Sequence, residues 1–291
     1  ADTQINRSRC EQNMEHRHMT PEEYHSSNGL SNSMMTRLLR SPAHLKHYID
    51  HPDSPTPQMI LGTQVHTALL EPDVFADLCV VGPDGPWTRK AAKDEIASMV
   101  DAGYSKGDIL KPDVYDQIQN MVDSVLGNPS ASLMIRSGRS EGKIEDSLFW
   151  ADPGTHVECK ARVDCIPAES SMYSNYLVDF KTTIDASPES FAKSVVNFGY
   201  HRQAYHYLSG WNSLHPEDQR NGFIIIACEK SPPYAVAIYE MGEQCMELGK
   251  YEVSSLMELY AQCADDDVWE SYPQAVQMLE LPAWATAKVG Q

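Results

Sequence analysis

The feature that most limits what this chain can fold into is a change of period near residue 145. Before it, apolar residues recur at helical spacing. After it come three short runs of strand length: "SLFWAD" (147–152), "VECKARVDCIP" (157–167) and "NYLVDFKTT" (175–183). A "DPG" at 152–154 marks the turn between the first two. One long helix is expected next, from Pro188 to Trp211, and then two strands, "GFIIIACEK" and "YAVAIYEM", joined by "SPP". The order β-β-β-α-β-β, closed by a helix over "CMELGKYEVSSLMELYAQCADDD", predicts an α/β or α+β core with a central mixed sheet flanked by helices.

The region ahead of this core reads as helical. Thr20-Pro21-Glu22-Glu23 has the capping-box pattern with Pro at the first helical position. "LSNSMMTRLLR" places Leu30, Met34 and Leu38 at helical spacing, and Ser41-Pro42 opens another helix. Three prolines make residues 51–58 a loop. "QMILGTQVHTALLEP" is expected to be a helix carrying Met59, Gly62, His66, Leu69 and Leu70 on one apolar stripe, and residues 89–102 and 111–127 two more. The organisation expected is a flexible arm over 1–20 and one domain over 21–291. That domain has a helical part at 21–140, a core at 141–241 and a helical C-terminal part at 242–291.

Composition narrows the functional classes. With 42% hydrophobic residues the chain can bury a core, and no run approaches the ~18 apolar residues that span a membrane. The polar N-terminal stretch does not read as a signal peptide. Seven cysteines without a CxxC argue against a disulfide framework, a zinc ribbon or an iron–sulfur cluster, so a cytoplasmic setting is expected. Cys159 and Cys165 read as small apolar strand residues. The net charge of −18 counts against a broad basic face for nucleic acid.

Within the core, "LVDFKTT" (177–183) puts Asp179 and Lys181 on one face of a strand and Phe180 on the other. A surface ion pair would account for that. So would a metal ligand beside a catalytic lysine, if a second acid joins them. Asp164, in "ARVDCI" on the preceding strand, is placed to do so, because adjacent antiparallel strands bring it beside Asp179. Two convergent carboxylates suit Mg²⁺ or Mn²⁺. A neighbouring lysine can orient an attacking water and help deprotonate it, while the metal stabilises charge in phosphodiester hydrolysis. His66 lies on the stripe of an early helix, where a histidine is more often a hydrogen-bonded core residue. Gln203 and Tyr207 in "QAYHY" share a helix face, which packing alone would explain. Glu145 stands just ahead of the first strand, where a solvated acid is the plainer reading.

Taken in order, "YHSSNGLSNSMMTRLLRSPAHL", "GTQVHTALLEP", "EDSLFW", "CKARVDCI", "LVDFKTT" and "HRQAYHYL" resemble the RecE-type exonucleases of the PD-(D/E)xK nuclease superfamily, over roughly residues 20 to 230. The resemblance implies a PD-(D/E)xK core with Asp164 and Asp179 as metal ligands and Lys181 as the catalytic lysine. It implies His66, in a GxxxH pattern, and the Phe180 carbonyl as further ligands. Gln203 and Tyr207 match the QxxxY motif that helps position the substrate strand, and Glu145 matches a catalytic acid ahead of the first strand. The activity implied is 5′→3′ degradation of linear double-stranded DNA with Mg²⁺, Mn²⁺ being a possible substitute. The product is a 3′ single strand for a RecT-like annealing protein. A homo-oligomeric ring of three or four subunits is implied as well.

Such a ring would answer the charge problem by turning basic groups inward. Arg136, Arg139, Lys143, Lys160, Arg162, Lys193 and Arg202 lie in or beside the core and are the candidates, with Arg162 and Arg202 taken as substrate contacts. Two other readings stand beside the exonuclease. One is an inactive nuclease fold serving as a DNA-end clamp or docking module, which the acidity favours. The other is an endonuclease or flap nuclease on the same core.

Overall fold

The computed structural model describes residues 19–281 in full and the backbone of residues 15–17. Most of the arm expected over 1–20, and Cys10 with it, lies outside the described residues. Glu15–Arg17 form a short strand, β1. Six helices then alternate with two brief strands: α1 (Pro21–Ser26), α2 (Asn32–Arg40), α3 (Pro42–Asp50), α4 (Pro57–Leu70), α5 (Pro72–Leu78), β2 (Val80–Val81), α6 (Lys90–Asp101) and β3 (Ile109–Leu110). Helices α7 (Pro112–Gly127) and α8 (Pro129–Ser140) lead into β4 (Lys143–Ala151), β5 (Glu158–Ile166) and β6 (Tyr176–Thr183). Next come α9 (Pro188–Phe198), α10 (Tyr200–Leu214), β7 (Gly222–Glu229), β8 (Val236–Glu240) and α11 (Glu243–Asp266).

Local chemistry sets many of these boundaries. Proline opens most of the helices, where its missing N–H costs nothing. The capping box at Thr20 forms in both directions. Ser31, Ser41 and Thr56 accept N–H bonds from the first turns of α2, α3 and α4.

The main sheet has the order β1-β4-β5-β6-β7-β8. Its pairs are antiparallel except β6 with β7, which run parallel and are joined through α9 and α10. Both faces are covered. Along β7, Phe223, Ile225 and Ala227 join the cluster beneath α2, α3, α10 and α11. Ile224, Ile226 and Cys228 join the one beneath α4, α5, α7 and α8. That is why "FIIIAC" is apolar without alternation. Each buried Ile or Phe there contributes about 1.5–3 kcal/mol. Cys159 and Cys165 are buried free thiols. Among the described residues no helix is long and apolar enough to cross a membrane.

Three readings are corrected, and two features are new. The helix expected over 188–211 breaks at Gly199, whose φ of 68° is left-handed, so α9 and α10 are separate elements. Any other L-residue there would cost about 1–2 kcal/mol. Strand β4 begins at Lys143, so Glu145 lies inside it rather than ahead of it. Met59 is 59% exposed and does not join the buried stripe of α4. Helix α8 and the parallel pair β2–β3 were not anticipated.

Candidate active site

Strand register brings three acids into a row. Cys165 pairs with Val178, which puts Asp164 opposite Asp179 on the antiparallel neighbour. Ile144 pairs with Cys165 and Asp146 with Val163, which puts Glu145 opposite Asp164. The ladder gives way at this row. Glu145 adopts φ 51°, a conformation uncommon outside glycine. The Asp164 carboxylate takes the N–H of Phe180 at 2.7 Å.

Helix α4 lies against β6 and delivers His66 to the row. At Gly62 the two elements are in contact, a Cβ there standing an ordinary 3.7 Å from Thr182 Oγ1. His66 Nε2 donates to the Phe180 carbonyl at 2.8 Å. That bond turns Nδ1 toward the acids, 3.5 Å from Asp164 Oδ2 and 3.8 Å from Glu145 Oε1. The ligand atoms of His66, Glu145 and Asp164 all lie within 4.8 Å of one another.

Asp179 sits beside this cluster, 1% exposed. Its Oδ1 accepts from Gln203 Nε2 at 2.6 Å, and its Oδ2 is 2.6 Å from Lys181 Nζ. The Lys181 ammonium stands 5.2 Å from the centre of the Tyr200 ring. Arg162 Nε meets Glu145 Oε2 at 2.5 Å, and its guanidinium lies 6.0 Å over the Tyr24 ring.

The electrostatics are those of a site crowded with buried acids. Burial, then the neighbouring Asp179 carboxylate, raises Asp164 to about 7. For His66, burial alone would disfavour the charge, but Asp164 and Glu145 outweigh it and raise the imidazole to about 9. Burial opposes ionisation of Glu145 too, yet His66 and Arg162 hold it below the usual carboxylate range. Lys181 is pushed up despite burial, because Asp179 and Asp164 surround it. A lysine held as ammonium supplies charge and hydrogen bonds.

His66, Glu145, Arg162, Asp164, Lys181 and Tyr200 line a cleft of about 910 Å³, and Asp179 is buried beside them. One wall is α1 with Tyr24 and His25. The length of α4, the end of β6 with the loop after it, one side of α9 and Lys230 complete it. Asp164, Asp179, Lys181, Glu145, His66, the Phe180 carbonyl and Arg162 are therefore brought together. Gln203 lies behind Asp179, away from the cleft surface, and Tyr207 packs on Phe223 at 6.2 Å between rings. Arg202 is turned away altogether, 2% exposed and bonded to Asn32, Thr36 and Glu252.

Of the other basic candidates, Lys160 is buried, bonding the carbonyls of Tyr24, His25 and Ser27. Arg139 bonds the Leu69 carbonyl, Lys143 pairs with Asp146, and Lys193 pairs with Glu189 on an exposed helix face. Arg136 is exposed on α8. Sequence reasoning missed Tyr24 and Tyr200, whose aromatic faces back Arg162 and Lys181. Nothing in their local sequence distinguishes them from core tyrosines.

The donor set fits a divalent cation. Carboxylate and carbonyl oxygens suit Mg²⁺ or Mn²⁺, and one imidazole nitrogen is better matched to Mn²⁺. The raised Asp164 carboxyl marks a place where added positive charge relieves acid–acid repulsion. His66, Glu145 and Asp164 are grouped to hold the ion, and Asp179, opposite Asp164, would join them by giving up its contact with Lys181.

Comparison with known proteins places the chain in a family and a fold. The family described as a PDDEXK-like domain of unknown function matches residues 31–282. No curated protein matches the chain. The crystal structure of a candidate exonuclease from Eubacterium rectale is similar in fold, with a TM-score of 0.58 at 12% identity. The similarity spans 94% of this chain and 98% of that one.

Proposed function

This chain belongs to the PDDEXK-like family, and on that premise we propose that its cleft hydrolyses DNA phosphodiester bonds with a divalent cation. The observation that carries the proposal is the meeting of His66, Glu145 and Asp164 within 4.8 Å, beside an Asp179–Lys181 pair, on the floor of an open cleft. A bound Mg²⁺ or Mn²⁺ supplies Lewis acidity and a water of lowered pKa. The protein's own groups do the rest. His66, Glu145 and Asp164, with Asp179 beside them, would hold the ion, and Lys181 would present its ammonium to the phosphate oxygens as charge builds on them. Water adds to phosphorus, one P–O ester bond breaks, and the leaving oxygen gains a proton.

The finer reading is a 5′→3′ exonuclease on linear double-stranded DNA that leaves 3′ single strands for a RecT-like annealing partner. The ordered motifs from His66 to Tyr207 support it, as does likeness in fold to a candidate exonuclease. A homo-oligomeric ring would enclose the DNA and lessen the need for a basic surface on a chain of net charge −18. The test is linear duplex labelled at its 5′ or 3′ end, with closed circular duplex alongside, in Mg²⁺ or EDTA. Release of the 5′ label as mononucleotide, from linear DNA and only with Mg²⁺, is the expected result. Early release of the 3′ label would reverse the polarity, and cleavage of the closed circle would make the enzyme an endonuclease.

A further inference from the structure

The first turn of α10 faces two ways. Toward the cleft it sends Tyr200, beneath Lys181, and Gln203, bonded to Asp179. Away from the cleft it sends His201 and Arg202, each 2% exposed. Both converge on one carboxylate of α11: Glu252 Oε2 lies 3.1 Å from His201 Nε2 and 2.8 Å from Arg202 Nη1. Arg202 is held further by Asn32 Oδ1 at 3.1 Å and Thr36 Oγ1 at 2.7 Å on α2. Backbone packing allows little slack. One turn before Glu252, a Cβ at Gly249 would collide with the His201 carbonyl.

We propose that Glu252 is a positioning residue for the metal centre, setting the first turn of α10 and, through Gln203 and Tyr200, the placement of Asp179 and Lys181. The reason is economy of constraint. Gly199 breaks the helix just ahead of this turn, so continuity with α9 does not fix its rotation. A buried guanidinium and a buried imidazole meeting a single carboxylate do. A buried guanidinium that loses its counter-charge must find another partner or move, and Gln203 is its immediate neighbour. The proposal rests on the cleft being a metal centre and does not depend on which bond the enzyme cleaves.

The test is Mn²⁺ affinity of the full chain by calorimetry, with steady-state hydrolysis as the second readout. Glu252→Gln should bind Mn²⁺ about tenfold more weakly, as loss of a partner behind a metal ligand does. It should lower kcat with little change in KM. Glu252→Asp should recover part of both, and Glu258→Gln, on the exposed face of the same helix, should change neither. If Glu252→Gln does not fold, Thr36→Val, which removes one partner of Arg202, should show the same weakening to a smaller degree. A folded Glu252→Gln, or failing it Thr36→Val, with wild-type Mn²⁺ affinity and kcat overturns the proposal. Wild-type protein that binds Mn²⁺ but hydrolyses nothing would sink the nuclease reading and leave this one to be decided by affinity. Wild-type protein that binds no Mn²⁺ would overturn both.

Discussion

His66 and Phe180, 114 residues apart in the chain, meet through one bond: the imidazole Nε2 donates to the Phe180 carbonyl at 2.8 Å. That contact aims Nδ1 at Asp164 and Glu145 and ties helix α4 to the strand that carries Asp179 and Lys181. It makes the candidate cation site a property of the helix–sheet packing rather than of any one loop.

A titration prediction follows from this placement. The folded-state pKa of His66 is raised from 6.5 to about 9. In the metal-free protein its stabilising charge is therefore fully present below about 6.5 and is lost as pH rises through about 9. A cation that takes Nδ1 must displace that proton. Near neutral pH, Mn²⁺ binding should release about one proton more from the wild type than from His66→Gln. Calorimetry in buffers of different ionisation enthalpy measures this, and equal proton release would remove His66 from the ligand set.

Lys181 and the metal share the same carboxylates, so removing the lysine should separate binding from chemistry. Lys181→Met is expected to bind Mn²⁺ more tightly than the wild type, because a competing cation is gone. Its hydrolysis should fall by about 10²–10³-fold, the usual loss when a transition-state charge stabiliser is removed. Weaker Mn²⁺ binding in this variant would argue that Lys181 mainly holds Asp179 in place.

Lys160 clamps the cleft wall. Its ammonium bonds the carbonyls of Tyr24, His25 and Ser27 at 3.0, 3.3 and 2.6 Å. Lys160→Met leaves those carbonyls without their donor and should cost about 2–3 kcal/mol. Hydrogen exchange would then rise first in α1. Uniform acceleration across the sheet would show that Lys160 supports the core as a whole.

His206 gives a second pH effect, of opposite sense. It is 1% exposed, and burial lowers its pKa from 6.5 to about 4. The unfolded chain takes up the proton first. Stability is therefore complete above about 6.5 and falls as pH drops toward 4, by about 3 kcal/mol from this group. Urea unfolding of the wild type and His206→Gln at neutral and mildly acid pH should show a shallower decline in the variant. Parallel declines would assign the acid sensitivity to other groups.

Much of this site was legible because strands encode faces. The alternation in "LVDFKTT" puts Asp179 and Lys181 on one face, and an antiparallel neighbour carrying Asp164 completes the pair of acids. Proline and Ser/Thr caps marked most helix starts for a similar reason: their chemistry is local. What was not legible depends on contacts distant in sequence. Helical period continues through Gly199, so the break that frees α10 shows only when its φ is known. Arg202 read as a phosphate contact, and only the packing of α2 and α11 reveals it as a buried partner of Glu252. Glu145 read as an acid before a strand, because a left-handed residue inside β4 leaves no trace in hydropathy. Helix α8 hid among serines and Gly138, which is small because Cys165 packs against it.

The most direct test of the central claim is hydrolysis of linear duplex DNA by the wild type and by Asp179→Asn, each with Mg²⁺ and with EDTA. A metal-dependent nuclease at this cleft predicts acid-soluble nucleotide from the wild type with Mg²⁺ and from no other combination, with Asp179→Asn still folded by circular dichroism. Hydrolysis by the wild type in EDTA, equal rates for the two proteins, or no product under any condition would contradict it.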